Sequence, residues 1–146
     1  MENILEEIQV SYNTNSRVRT KINCPQSVYE LLLSHWNDGT IELQEEFKVL
    51  LLNRANAIIG IYNLSKGGCA GTVVDVKLLF AVALKCNASA IIVAHNHPSG
   101  SLKPSEQDEK ITKRINEAGK LFDIGVLDHL IVTKFGFYSF ANEGKL

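Results

Sequence analysis

Two histidines separated by one residue follow a short apolar run in the middle of the chain. Residues 95–108 read HNHPSGSLKPSEQD and come directly after the apolar run 90–94. Because alternate side chains of an extended segment point to the same side, His95 and His97 can converge while Asn96 points away. Neutral imidazoles are good ligands for Zn²⁺. The spacing therefore indicates a candidate metal site at the end of a strand.

Asp108 offers a third ligand from the first turn of the next predicted helix. Catalytic zinc takes three protein ligands and keeps one position open for water, and His95, His97 and Asp108 would fill those three places. A structural interpretation stands beside this one. An isolated H-x-H pair is often a surface or hydrogen-bonded pair, and SEQD matches a capping box between Ser105 and Asp108. The loop alone leaves both interpretations open.

A nearby carboxylate would give such a site hydrolytic chemistry. The pKa of a zinc-bound water is lowered toward ~7, and a carboxylate can accept its proton and pass it to a leaving amine. Glu42, Glu45 and Glu46 lie just before the first strongly apolar strand. Each of them can equally be a solvated turn residue, and the local pattern does not choose between them.

Strand and helix patterns alternate along the rest of the chain. The predicted strands cover 7–12, 46–53, 57–64, 89–94, 124–133 and 137–141, and the predicted helices cover 25–36, 75–88 and 105–122. The strands 46–53 and 57–64 predict a hairpin. Gly119 leaves the end of the last helix undecided. Helices between strands, together with this hairpin, predict an α/β domain with a mixed sheet.

Composition limits the domain count and the class of partner. At 146 residues, without repeats or linker-like stretches, the sequence predicts a single domain over 1–146. A net charge of −1 gives no global attraction to nucleic acid. The three cysteines are widely spaced and form no C-x-x-C pair, which favours a reducing compartment. With no signal peptide or membrane-length apolar run, we expect a cytoplasmic protein that makes no membrane contact.

The histidine stretch resembles a known signature. His95-Asn96-His97-Pro98, with Ser105 eight positions after His97 and then Asp108, is similar to the JAMM motif H-x-H-P…S-x-x-D. With VLDHLIV (126–132) and YSFANEG (138–144) downstream, the chain resembles the RadC-like branch of the MPN/JAB-domain metalloproteins, which is often labelled a DNA repair family. The match runs from about residue 45 to 146. It implies a single MPN/JAB-type domain of the cytidine deaminase-like class, with a mixed β-sheet flanked by helices.

The resemblance also implies roles for individual residues. His95, His97 and Asp108 match the ligands of one catalytic zinc ion. The family glutamate precedes a strand as E-x-F-x-V-L-x-L, which makes Glu45 the general base here. Glu46 is the alternative, because a register slip of one residue would exchange the two. Ser105 matches the serine that hydrogen-bonds the developing oxyanion or the metal-bound water.

The implied function is zinc-dependent hydrolysis of a peptide or isopeptide amide bond, in a peptide or protein substrate that could bind as an extended segment. Two alternatives stay open. One is a DNA-associated role as a nuclease or accessory, which the near-neutral charge and the expected absence of a helix-hairpin-helix module count against. The other is a non-catalytic MPN binding module, which the complete ligand set counts against. The oligomeric state is left undetermined.

Asp128 and His129 form a second acid–base pair in the sequence. They could act as catalytic groups or form structural hydrogen bonds near a sheet edge. Their place in an alternating strand pattern favours the structural interpretation. The glycine-rich stretch 66–72 is expected to be a flap beside the site or only a turn.

Overall fold

A five-stranded sheet is the centre of this computed structural model, which describes residues 4–15, 18–69 and 71–146. In these ranges the order of elements is α1 (Pro25–His35), β1 (Glu46–Leu52), β2 (Ile58–Lys66), α2 (Val76–Lys85), β3 (Ala90–Asn96), α3 (Glu106–Leu121), β4 (Gly125–Thr133) and β5 (Gly136–Ser139). The strand order is β2-β1-β3-β4-β5. β3 and β4 are parallel and the other neighbours are antiparallel. The prediction of a single α/β domain with a mixed sheet is confirmed.

The central strands β1 and β3 are buried along their whole length. Alternation sends Val49 and Leu51 of β1 into a core with α2 and α3, while Leu50 and Leu52 pack into a second core with α1. Both faces of these strands are therefore covered, which explains why their sequences are almost continuously apolar. No helix in the described ranges is both long and apolar enough to cross a membrane.

The predicted strand over 7–12 is wrong. Residues 7–12 form no regular element, and Ile8 and Val10 are 82% and 71% exposed. The backbone at the start of β2 is hydrogen-bonded by another segment, because Ile58 N donates to Thr20 O at 2.8 Å. Alternating apolar residues form a stable strand only where a neighbouring strand and a core receive them, and 7–12 meets neither among the described residues.

Gly119 does not end α3, which continues to Leu121. A Cβ atom on Gly119 would lie only 2.5 Å from the carbonyl oxygen of Ile124. At the same contact, Ile124 N donates to Gly119 O at 2.8 Å. The glycine is therefore needed for the close approach of the helix to the chain that leads into β4.

Replacing Gly119 with alanine should lower the free energy of unfolding by about 1–3 kcal/mol, because the added methyl group overpacks this contact. At an exposed helical position the same change would raise stability by up to about 1 kcal/mol, so the sign is diagnostic. Urea unfolding of the metal-free protein measures the effect. Gly60→Ala is the control, since a Cβ there meets nothing within 4 Å. A stabilised Gly119→Ala protein would contradict the packing described here.

Candidate metal centre

β3 continues two residues beyond the end that its apolar run predicts. The sequence places the end at Ala94, whereas the strand includes His95 and Asn96. His95 lies between Phe47 of β1 and Ile131 of β4 in the sheet, so backbone pairing extends the strand. His95 is 1% exposed, and its ring stacks on Phe47, which belongs to the core with α2 and α3. This gives one histidine a rigid, buried position.

Four side chains converge at the end of β3. Glu45, His95, His97 and Asp108 each offer one ligand atom, and these atoms all lie within 4.8 Å of one another. His95 Nε2 is 3.1 Å from His97 Nε2 and 3.2 Å from Asp108 Oδ1. Imidazole nitrogens combined with a carboxylate oxygen are one of the donor sets that catalytic zinc sites use. The group could therefore hold a metal ion.

The group is electrostatically coupled. Burial by itself would raise the pKa of Asp108, but hydrogen bonds from His95 and His97 outweigh it and hold that pKa well below its usual range. Burial lowers the pKa of His97, yet hydrogen bonds to Asp108 and to the Ser101 carbonyl give a net increase. The protonated imidazole of His97 and the ionised carboxylate of Asp108 stabilise each other. A bound cation would compete with a proton for the ring nitrogen of His97.

Glu45 lies at the edge of the group, with Oε1 3.8 Å from His95 Nε2. Burial raises the pKa of Glu45, and the charges of His95 and His97 oppose this only in part. A partly desolvated carboxylate of raised pKa beside potential ligands is typical of a group that exchanges protons.

The backbone of Glu45 is held by the glycine-rich loop. Glu45 N donates to Gly68 O at 3.0 Å, and Gly67 N donates to Glu45 O at 2.8 Å. A Cβ on Gly67 would lie 1.9 Å from the Gly71 carbonyl oxygen, so only glycine fits at this position. The loop is therefore more than a surface turn, because it fixes one side of the candidate site.

Asn96 holds the same segment from the opposite face of the sheet. Its Nδ2 donates to Ile41 O at 2.7 Å and to Gln44 O at 2.8 Å, and its Oδ1 accepts from Glu46 N at 2.7 Å. The sequence predicts that Asn96 points away from the metal site, but it does not reveal these bonds. No signal in the sequence pointed to them, because the predicted strand ends at Ala94 and the full burial of Asn96, which obliges its amide to find hydrogen-bond partners, is seen only in the structure.

The three candidate acids have different surroundings. Glu46 points to the other face of β1, where its Oε1 is 3.6 Å from Lys66 Nζ. Glu42 is exposed and pairs with Lys134 at 3.1 Å. Among these acids, the metal-ligand group of the described residues includes only Glu45.

Ser105 and Asp108 form the capping box that their spacing predicts. Ser105 Oγ accepts from Asp108 N at 3.0 Å, and Ser105 N donates to Asp108 Oδ2 at 2.8 Å. The same carboxylate is 3.1 Å from His97 Nε2. The structural and the metal-binding interpretations therefore coexist in one side chain. Ser105 also lines the open cleft of about 580 Å³ that contains all four members of the group.

Asp128 and His129 do not form a pair with each other through their side chains. Asp128 accepts from its neighbour's backbone N–H at 2.7 Å and from Ser139 Oγ at 2.5 Å, so it has the structural role that the strand pattern favours. His129 faces the site instead, with Nε2 2.8 Å from His95 Nδ1. Burial, followed by the charge of His95, lowers the pKa of His129 well below its ordinary value.

The sequence is similar to a defined family. The profile of RadC-like JAB domains matches residues 22–145. A UPF0758 protein of Flavobacterium johnsoniae is 53% identical over 100 residues, which cover 68% of this chain and 44% of the relative. A UPF0758 protein of Porphyromonas gingivalis is 50% identical over 104 residues, covering 70% and 46%. A UPF0758 protein of Staphylococcus haemolyticus is 38% identical over 133 residues, covering 91% and 57%. The chain thus spans about half the length of the curated relatives it matches.

Replacing Asn96 with alanine should lower the free energy of unfolding by at least about 1–3 kcal/mol, the cost of leaving one buried backbone group without a partner. Asn142→Ala is the control, because that residue is exposed, and its change should stay within about 0.5 kcal/mol. Urea unfolding of both metal-free variants provides the comparison. Equal stability of the two would show that Asn96 does not hold the 41–46 segment.

Proposed function

The chain belongs to the family of RadC-like JAB domains, and from this we propose that it is a zinc-dependent metallohydrolase that cleaves an amide bond in a peptide or protein. The observation that carries the proposal is the convergence of Glu45, His95, His97 and Asp108. Two imidazoles, a low-pKa carboxylate and a neighbouring raised-pKa carboxylate match the division between metal ligands and base in hydrolytic zinc sites.

His95 and His97 would hold the metal through Nε2, and Asp108 through its carboxylate. His95 Nε2 lies 3.1 Å from His97 Nε2 and 3.2 Å from Asp108 Oδ1, and His97 Nε2 lies 3.1 Å from Asp108 Oδ2. When bound, zinc supplies a Lewis acid that polarises the amide carbonyl and makes water more acidic. Proton transfer and stabilisation of the oxyanion are assigned to side chains of the protein.

Glu45 is assigned to proton transfer. It accepts a proton from the attacking water as the oxygen–carbon bond forms. It then returns that proton to the amide nitrogen as the carbon–nitrogen bond breaks, which leaves a carboxylic acid and an amine. A raised pKa suits both steps, since the group must take up and release a proton near neutral pH.

Ser105 is assigned to the oxyanion. Its Oγ already accepts from Asp108 N, so the cap occupies a lone pair and leaves the hydroxyl hydrogen available. A donor of this kind stabilises charge on the former carbonyl oxygen in the transition state. The proposed substrate is an extended peptide or isopeptide in the cleft, because its walls combine polar groups with apolar residues such as Val73, Val74 and Ile111.

Metal analysis tests the ligand assignment. Purified wild-type protein should contain about one zinc ion per chain, as expected for a three-ligand catalytic site. His95→Ala should lose most of it, whereas Glu45→Gln should retain it. Inductively coupled plasma mass spectrometry on dialysed samples gives the stoichiometry. Full zinc occupancy in the His95→Ala protein would refute the site.

The rate of peptide cleavage tests the assignment of Glu45 as the base. Zinc-loaded wild-type protein should cleave members of an unbiased peptide library, and Glu45→Gln should reduce kcat by about 10²–10⁴-fold, the usual contribution of general acid–base catalysis. Glu46→Gln is the matched control, since that carboxylate lies on the other face of β1, and it should keep the wild-type rate.

Two results would count against the proposal. Wild-type turnover by Glu45→Gln would remove the assigned base. Zinc-loaded protein that cleaves no peptide but binds DNA with a steep dependence on salt would favour the DNA-associated alternative, because counterion release dominates such binding.

A further inference from the structure

His129 is a fully buried imidazole that the proposed reaction does not use. It lies on β4 between two polar partners. Its Nε2 is 2.8 Å from His95 Nδ1, and its Nδ1 is 2.6 Å from Thr112 Oγ1 on α3. Thr112 Oγ1 is in turn 2.6 Å from the carbonyl oxygen of Asp108. A continuous chain of hydrogen bonds therefore starts at one candidate ligand and ends at the backbone of another.

The direction of this chain follows from counting hydrogens. The Asp108 carbonyl can only accept, so the single hydroxyl hydrogen of Thr112 is donated to it. Thr112 Oγ1 must then accept from Nδ1–H of His129. Neutral His129 consequently has a lone pair at Nε2, which accepts from Nδ1–H of His95. The second nitrogen of His95, Nε2, which otherwise shares a proton with Asp108 Oδ1 at 3.2 Å, is then the atom that can offer a lone pair to a metal ion in place of that proton.

Aromatic contacts hold both rings in the planes that these bonds require. His129 stacks on Phe140 with ring centroids 4.7 Å apart, and Phe47 meets it edge-on at 5.6 Å. Phe47 also stacks on His95, with an interplanar angle of 5°. Neither imidazole can therefore rotate to exchange its nitrogens without displacing a buried phenyl ring.

We propose that Thr112 and His129 are positioning residues that fix the His95 proton on Nδ1 and so present Nε2 to a divalent metal. This inference rests on the proposed function, because it takes His95 as a ligand. His97 also has a proton on Nδ1, because this nitrogen is 2.8 Å from the Ser101 carbonyl, which can only accept a hydrogen bond. One ligand tautomer is thus set by the backbone, and the other by two side chains from β4 and α3.

Thr112→Val tests the relay because it keeps the shape of the side chain and removes the hydroxyl. His129 Nδ1–H then loses its acceptor, which favours the tautomer that forces the proton of His95 onto Nε2. Titration with Zn²⁺ alone, using a competing chelator, should show affinity weakened by about 10–100-fold, as is usual when an outer hydrogen-bond partner of a ligand is lost. Thr112→Ser should restore an affinity close to that of the wild type.

Thr133→Val is the matched control. Like Thr112, Thr133 is buried, but it lies on β4. Its hydroxyl donates to Gly136 O at 2.9 Å, away from the candidate ligands. Losing that hydroxyl should reduce stability while leaving Zn²⁺ affinity unchanged. Equal losses of affinity in Thr112→Val and Thr133→Val would attribute the effect to general destabilisation and overturn the relay.

Histidine ¹⁵N NMR of the wild-type protein gives a second readout that needs no variant. His129 should have its proton on Nδ1, both without metal and with Zn²⁺ bound. A proton on Nε2 instead would overturn the proposal. Wild-type protein that binds no Zn²⁺ would overturn the proposed function itself, whereas equal Zn²⁺ affinity in the wild type and Thr112→Val would overturn the relay alone.

Discussion

The antiparallel register of β1 against β3 is the constraint on which the candidate site depends. Phe47 lies opposite His95, and two residues beyond this pair the chain reaches Glu45 on one side and His97 on the other. A slip of one residue would turn Glu45 away and bring Glu46 forward. Such a slip would also exchange the side chains that β1 sends into its two separate cores, so core packing enforces the register that the site requires.

The start of α3 supplies the second fixed point. Asp108 is held by Ser105 in a capping box and also contacts both histidines. Its carboxylate therefore caps the N-terminus of α3 and also completes the donor set. Thr112, one turn further along, extends this arrangement to His129 and β4. Helix, strand and ligand positions are consequently coupled, and a change in one of them reaches the others through buried hydrogen bonds.

Local patterns predicted most of the fold. The hairpin, the apolar strand before the histidines and the helix opened by Ser105 all formed close to where their periodicity placed them. The two predictions that differ from the structure, the strand over 7–12 and the end of β3, differ for the same reason. Residues 7–12 alternate like a strand but pair with no strand in the part of the chain that the structure describes, and β3 extends beyond its apolar run because neighbouring strands pair with His95 and Asn96. In both cases the outcome depended on residues distant in sequence.

The sequence alone determined the features that arise within a few residues. Alternation placed His95 and His97 on one side of a strand, and a three-residue spacing placed Asp108 within reach of Ser105. Only the tertiary structure decided that Glu45 faces the group, and that Asn96 holds the opposite segment from 50 residues away. The physical reason is that backbone periodicity fixes which way a side chain points, whereas the partner it meets depends on strand register and helix packing.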